Sequence, residues 1–459
     1  MHFTIPYVEE VTDSNGKKVD IFKIYINGAH HCSARFSVLH KLNEDLKLRF
    51  QVTELPYFPP KKFLKLNDAQ LEERRESLEY FLQKVSSSTR FNSHEFHEFL
   101  KTCQKETKKI VNESVSISVY LMDGQEYQMD IQNTDNTQAV FDAFADAISL
   151  PRQISSKFGL YFMEMHPADK FSIIRKIQDF EYPYISLNEI LTERRNRNRN
   201  SSDNNCRIVV RKSQWNSELE TDIDSSYPAL EILFAQVAAE IHNGWISIPD
   251  ESRRNRIQNL IQRKARKEAL QLARTLDFYG YVQLHGRSIC NRPAQNSHVI
   301  VSAGNFQLVL RDGSDGNGNR GAVLFTYCLT RIKAWKISTS LKDRFISDGD
   351  NNRLSPSQER QGCPTLTFEY LDVNTKTLEE VIITNSYTDQ IILLSMSLKN
   401  MAEEYVNYKA SVSQSSISSD SESKLVKHKA SPYGGSHSNI SSGNRANLMS
   451  SYYIGDGDL

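Results

Sequence analysis

No stretch of the chain holds about 18 apolar residues free of charge, so the sequence predicts no bilayer-spanning helix. The first twenty residues, "MHFTIPYVEEVTDSNGKKVD", lack a basic segment followed by an apolar one, and entry into the secretory route is not expected. Cysteine is scarce: the six residues Cys32, Cys103, Cys206, Cys290, Cys328 and Cys363 lie far apart and form no CxxC pair. That spacing argues against a disulfide framework or a cysteine zinc site and favours reduced thiols in the cytosol. Net charge is also missing, since 56 basic residues balance 56 acidic ones. A nucleic-acid footprint over the whole molecule is thereby disfavoured, and any anionic partner must be met by a local basic patch.

Catalytic signatures are equally thin. There is no GxSxG, no Walker A motif and no Cys/His pair offering a nucleophile. "GNGNRG", Gly316 to Gly321, has the GxGxxG spacing but joins two strand-like runs, whereas phosphate binding needs a helix after the loop. "DGDNNRLSPSQE", Asp348 to Glu359, approaches a calcium loop, yet Arg353 stands where the turn glycine belongs. "HEFH", His94 to His97, spaces its histidines i, i+3 instead of as HExxH and reads as a solvated helix start. The expectation is a protein that is not an enzyme and carries no cofactor or metal.

What is present is a chain of 459 residues with 39% hydrophobic content, enough for three or four packed domains. "DIFKIYINGAHHCSARF" alternates about Asn27-Gly28 and predicts a hairpin. A helix with Leu39, Leu42, Leu46 and Phe50 on one face follows, then the stiff loop "LPYFPPKKF", then a helix capped by Asn67 or Asp68 with Leu71, Leu78, Leu82 and Val85 as its stripe. Further on, "SVSISVYLMDGQEYQMDI", "TQAVFDAFADAISL", "KFGLYFMEM" and "CRIVVRK" make a ββαβ order that looks ubiquitin-like, with "ERRNRNRNSSDNN" as a solvated loop. Residues 213–285 read as helical, with "NRIQNLIQRKARKEALQLARTL" as one amphipathic span. Six strands and a closing helix, "TDQIILLSMSLKNMAEEYVNYK", then suit a PH or PTB module. Beyond 410 the chain is Ser-rich and should stay disordered.

Arg35 ends a strand, Lys61 and Lys62 end the proline loop, and Arg74 lies on the next helix. If these elements pack together, the cations converge on a pocket suited to a phosphomonoester: an arginine fork matches phosphate oxygens, and an aromatic such as Phe36 can cover a ring face. Taken singly, each reads more readily as a solvated surface charge, and an SH3-ligand reading of Pro56-x-x-Pro59 is disfavoured by Phe58 and Phe63 inside a folded pattern.

"RFS" (Arg35 to Ser37), "PYFPPK" (Pro56 to Lys61) and "RRESLEYF" with Arg74, Leu78 and Phe81 resemble the spaced elements of a phox-homology domain. The order of modules is similar to that of sorting nexins that join this domain to a FERM-like unit. The resemblance implies a multidomain α+β fold: a phox-homology domain over 1–110, a ubiquitin-like lobe over 115–211, a helical lobe over 213–285, a PH/PTB-like lobe over 286–410 and a disordered tail over 411–459. It implies that Arg35 holds the 3-phosphate of phosphatidylinositol 3-phosphate, with Ser37 beside it, Lys61 on the 1-phosphate and Arg74 on inositol hydroxyls. Phe36 stands where the family often has Tyr. The resemblance further implies capture of NPxY or NxxY tails of transmembrane receptors, of lipoprotein-receptor and integrin type, along "IKAWKIST", with Trp335, Ala402 and Val406 lining the groove. The terminal "IGDGDL" is like an acidic tail that engages the retriever complex, through Ile454, Gly455, Asp456, Asp458 and Leu459, with Gly457 where an acidic residue is usual. Relatives carry an NxxF-like element just upstream that can occupy the cargo groove. Here the matching residues read "NLMS", so the tail is not expected to fold back that way. The implied protein is a monomeric cargo adaptor, cytoplasmic and peripheral on early endosomes, that binds no nucleic acid. The competing expectation is a FERM scaffold between membrane and cytoskeleton.

Overall fold

Short strands β1 (Phe3–Thr4) and β2 (Val8–Thr12) pair end to end along one edge of β3 (Lys18–Ile26), and β4 (Ala29–Arg35) pairs along the other. Asn27 and Gly28 join β3 to β4 with φ of 51° and 81°, the left-handed pair that a tight hairpin requires. Three helices, α1 (Phe36–Phe50), α2 (Asp68–Ser87) and α3 (His94–Lys108), close this first domain. Its core sets Phe22 and Ile24 of the sheet against Leu39, Leu42 and Leu46 of α1, Leu78, Phe81 and Leu82 of α2, and Phe96 and Leu100 of α3. The expected stripes are therefore the buried ones. Asn67 caps α2 through a reciprocal box with Gln70. The computed structural model describes residues 1–420 and 449–453, apart from positions 14, 52–54, 63, 89, 198–204, 221, 314–320, 340–363 and 374.

The second unit is a five-stranded sheet of β5 (Ser114–Tyr120), β6 (Glu126–Gln132), β7 (Phe158–His166), β8 (Lys170–Lys176) and β9 (Cys206–Lys212), in the order β6-β5-β9-β7-β8. Helices α4 (Thr137–Ala147), α5 (Arg152–Ser155) and α6 (Pro183–Arg197) accompany it. Two features depart from the sequence reading. β8 was not anticipated, because "KFSIIRK" buries five consecutive residues and so shows no alternation. The start of the basic run "ERRNR" continues α6 instead of forming loop.

The third unit packs α7 (Tyr227–Asn243) against α8 (Glu251–Gln262) and α9 (Arg266–Ala273). The single span expected over the last two breaks at Lys264, whose φ is 52°. The fourth unit is a nine-stranded sheet built from β10 (Val282–Gln283), β11 (Ser288–Cys290), β12 (Ser297–Gly304), β13 (Gln307–Asp312), β14 (Val323–Cys328), β15 (Ile332–Thr339), β16 (Pro364–Leu371) and β17 (Leu378–Asn385). α10 (Thr388–Asp420) covers its apolar face and runs past the boundary expected at 410. The ninth strand, β18 (Met449–Tyr453), comes from the segment read as tail and pairs with β15.

The units are joined by contacts that cross from one to the next. Phe180, in the turn before α6, packs into the first domain, with its ring centroid 5.6 Å from His31 and 5.3 Å from His97. Lys108 of α3 pairs with Glu189 of α6. Gly28 presses on α10 so closely that a Cβ there would lie 2.8 Å from Ile392 Cδ1. Glu404 of α10 accepts from the backbone N–H groups of Trp215 and Asn216 at 2.8 and 2.7 Å.

Candidate functional site

The first site forms where β4 becomes α1. Arg35 is the last residue of β4 and the N-cap of α1, with extended φ and ψ of −78° and 156°. No side chain caps the helix and its first turn holds no acidic residue, so free backbone N–H groups and the positive end of the helix dipole face outward. Ser37 is exposed in that turn. Phe36, between them, is the organising ring. The Arg74 guanidinium lies 4.1 Å over its centroid, Phe58 of the proline loop is 5.6 Å away, and Phe58 in turn packs edge-on to Phe81 of α2 at 5.0 Å.

Arg74 also donates from Nη2 to the Pro60 carbonyl at 3.1 Å. Three prolines hold the loop near polyproline II and leave that carbonyl pointing outward, and Lys61 follows it, exposed. The structure thus brings Arg74, Phe36 and the Pro60-Lys61 step together, with Arg35 and Ser37 flanking Phe36 in the chain. The ring that sequence reasoning assigned to an inositol face already carries Arg74 on one side. Half-burial lowers the pKa of the Arg74 guanidinium from its ordinary value, so an anion placed beside it would recover lost electrostatic stabilisation. Arg35 leans toward Asp13 at 3.7 Å, too far for a hydrogen bond and weak enough for phosphate to replace.

Arg75 has the opposite fate. It is 2% exposed, donates to the Ile5 carbonyl at 2.6 Å, and pairs with Glu72 and Glu79. Adjacent arginines on one helix therefore divide, one lying over Phe36 and the proline loop and one tying α2 to the chain between the first two strands.

The second site lies along β15. Trp335 and Ile337 face the core, and Trp335 is 3% exposed, its Nε1 donating to Ser395 Oγ on α10 at 3.1 Å. Expected as a groove residue, it lies in the core beneath the β15 edge, its ring held against α10. Ala402 and Val406, one turn apart on α10, are half-buried. The outer edge of β15 is filled: Ala334, Trp335, Lys336, Ile337 and Ser338 pair antiparallel with Tyr453, Tyr452, Ser451, Ser450 and Met449. The expectation drawn from "NLMS" is corrected here. A ladder of main-chain bonds does not require the aromatic of an NxxF element, and Met449 and Ser450 lie within the strand.

Ile454, Gly455, Asp456, Asp458 and Leu459 lie outside the described residues, as do "DGDNNRLSPSQE" and most of "GNGNRG". Among the described residues no group of three or more His, Cys, Asp or Glu side chains is set to hold a metal ion. No helix among them is long and apolar enough to cross a membrane.

Comparison with known proteins follows the same four units. Residues 23–103 match the PX domain, 115–215 the F1 lobe of the sorting nexin 17/27/31 FERM domain, 216–277 the F2 lobe of the sorting nexin 17/31 FERM domain, and 280–406 the sorting nexin 17 FERM C-terminal domain. Sorting nexin-17 of Danio rerio is 32% identical over 412 residues, covering 88% of this chain and 81% of the relative. The chain belongs to the sorting nexin-17 family. Human sorting nexin-17 is 33% identical over 407 residues, with the same coverage of 88% and 81%. Human sorting nexin-31 is 28% identical over 430 residues, spanning 93% and 91%. Membership accounts for the order of the units: a PX domain, then F1, F2 and F3 lobes of a FERM-like unit.

The missed elements now have places in that plan. β8 completes F1, β18 extends the F3 sheet, and Phe180 joins F1 to the PX domain. β18 lies along the β15 edge, and its sequence, "MSSYY", has no alternation that would have marked it as a strand.

Proposed function

We propose that the protein is a peripheral endosomal sorting adaptor that reads a lipid with its PX domain and a receptor tail with its F3 lobe. The observation that carries this reading is the outer edge of β15, which accepts an extended segment antiparallel over five residue pairs beside α10. An NPxY or NxxY peptide would add in the same way, main-chain bonds supplying affinity and the groove at Trp335, Ala402 and Val406 supplying specificity. In the PX domain, Arg35 and the first turn of α1 at Ser37 would take the 3-phosphate of phosphatidylinositol 3-phosphate, Lys61 the 1-phosphate and Arg74 the ring hydroxyls. The terminal residues Ile454, Gly455, Asp456, Asp458 and Leu459 would then serve as a peptide ligand for the retriever complex, leading captured receptors back to the cell surface.

The experiment is calorimetric titration of the full chain, and of a chain ending at residue 420, with an NPxY peptide from a lipoprotein-receptor or integrin tail. The shortened chain should bind and the peptide with Asn and Tyr replaced by Ala should not. Val406→Asp, which sets an unpaired charge in an apolar groove, should abolish binding while leaving lipid binding alone. Equal affinity of the Val406→Asp variant would remove the groove from the proposal.

A further inference from the structure

Residues 251–268 carry seven basic side chains against two acidic ones in a chain whose formal net charge is zero. Three of the seven are neutralised locally: Arg253 by Asp250 and Arg254 by Glu251, each at 3.4 Å, and Arg266 by Glu231. Arg256, Arg263, Lys264 and Lys267 are exposed, and none has a carboxylate within 4 Å among the described residues. Their placement is fixed from beneath. Ile257, Leu260 and Ile261 of α8 pack with Phe234 of α7 and Ala269 of α9, so the helix cannot roll to spread its charges. Arg256 and Arg263 are two turns apart and share a flank of α8. The left-handed turn at Lys264 ends the helix there and starts α9 with Lys267 in its first turn, where Glu268 is the acidic residue and lies next to Lys267 in the chain but not within ion-pair distance of it. Nearby, Tyr227 is 65% exposed, with the Arg266 guanidinium 5.3 Å over its ring.

We propose that these four cations and Tyr227 form a second membrane-contact surface on the F2 lobe, which takes the headgroups of anionic phospholipids by charge rather than by fit. Four uncompensated cations held at fixed positions repel one another, and a plane of monoanionic headgroups relieves all of them at once. An amphipathic phenol beside such cations suits the depth at which headgroups meet acyl chains. A single-stranded nucleic acid would use several stacking rings, and the patch presents one. The inference rests on reading the chain as a membrane adaptor, but it concerns a different lobe and a different lipid.

The test is sedimentation of the full chain with vesicles of phosphatidylcholine alone, with added phosphatidylserine, with added phosphatidylinositol 3-phosphate, and with both. Phosphatidylserine alone should increase binding, and Arg256→Glu/Arg263→Glu/Lys264→Glu/Lys267→Glu should lower that gain on the order of 1,000-fold. The gain should also fall steeply as salt shortens the screening length. Arg256→Lys/Arg263→Lys should retain it, because charge and not geometry is at work. The phosphoinositide-dependent gain should survive the four reversals and vanish in Arg35→Gln. Thermal melting of the reversed variant should match the parent, since every altered side chain is exposed. A phosphatidylserine gain that is absent, or that persists in the folded reversed variant, overturns the proposal, as does preference of the same residues for an RNA homopolymer over vesicles. Loss of the phosphoinositide gain alone would instead sink the PX assignment and leave this one standing.

Discussion

Arg74 and Arg75 show how little a residue type says before its neighbours are known. Both were legible as cations on an amphipathic helix, but the stripe at Leu71, Leu78, Leu82 and Val85 does not reveal that Arg75 turns inward to the Ile5 carbonyl, a partner 70 positions away. Substitution separates them. Arg75→Met strands Glu79 in a buried site and should cost on the order of 3 to 5 kcal/mol of stability, read by urea denaturation, while headgroup affinity of the surviving folded fraction is kept. Arg74→Gln should do the reverse. It keeps the helix and loses a charge-assisted contact of about 1.5 to 3 kcal/mol, read as weaker binding to phosphatidylinositol 3-phosphate vesicles at unchanged melting temperature. Arg35→Gln should behave like Arg74→Gln; if either variant bound those vesicles as the parent does, the pocket would not be the headgroup site.

At the scale of elements, amphipathic period served well wherever one face of a strand or helix meets water. The hairpin at Asn27-Gly28, α1, α2, α4 and most strands of the F3 lobe lie where periodicity and turn chemistry placed them. It failed for elements buried on both faces, such as β8, and for β18, whose conformation comes from its partner. β18 also sets an expectation for binding. A strand of the same chain on the β15 edge makes every incoming peptide a competitor, so apparent affinity is reduced by the fraction of molecules whose edge is open. Ending the chain at residue 420 should therefore tighten NxxY binding several-fold or more, chiefly by faster association. Identical titrations for the long and short chains would mean that the tail strand does not guard the groove.

The whole molecule is held together by residues that looked like connectors. "QDFEYPY" sets Phe180, Tyr182 and Tyr184 at every second position, but nothing in the segment itself marks Phe180 as a core residue of the PX domain, because its burial is created by a neighbour. The histidines it meets make this junction sensitive to acid. Burial lowers the pKa of His31 to about 4 from the ordinary 6.5, and its Nε2 lies 3.1 Å from the Leu100 carbonyl. Above pH 6.5 the ring is neutral whether the chain is folded or not, and the stability it permits is complete. Below that the unfolded chain takes up a proton that the folded one refuses, so stability falls as pH drops toward 4, by on the order of 3 kcal/mol. His30, lowered to about 4 mainly by burial as well, adds to the same slope. Thermal melting from pH 7 to 4 should show this decline, and His31→Gln should make it shallower; a slope that His31→Gln leaves unchanged would place the acid sensitivity elsewhere.

Phe180 between His31 and His97, with Gly28 against Ile392 on the far side, leaves the PX domain little freedom to swing on the FERM-like unit. A lipid-docked PX domain then sets not only where the β15 edge is but how high it stands above the bilayer and which way it points. Receptor tails would be sorted by length as well as by motif: an NxxY placed too few residues from its transmembrane segment could not span the gap, since an extended chain reaches only about 3.3 to 3.6 Å per residue. Receptor tails anchored in phosphatidylinositol 3-phosphate vesicles, with spacers shortened stepwise, should show a sharp loss of capture at one length, and Phe180→Gly should blur that threshold without altering affinity for the free peptide.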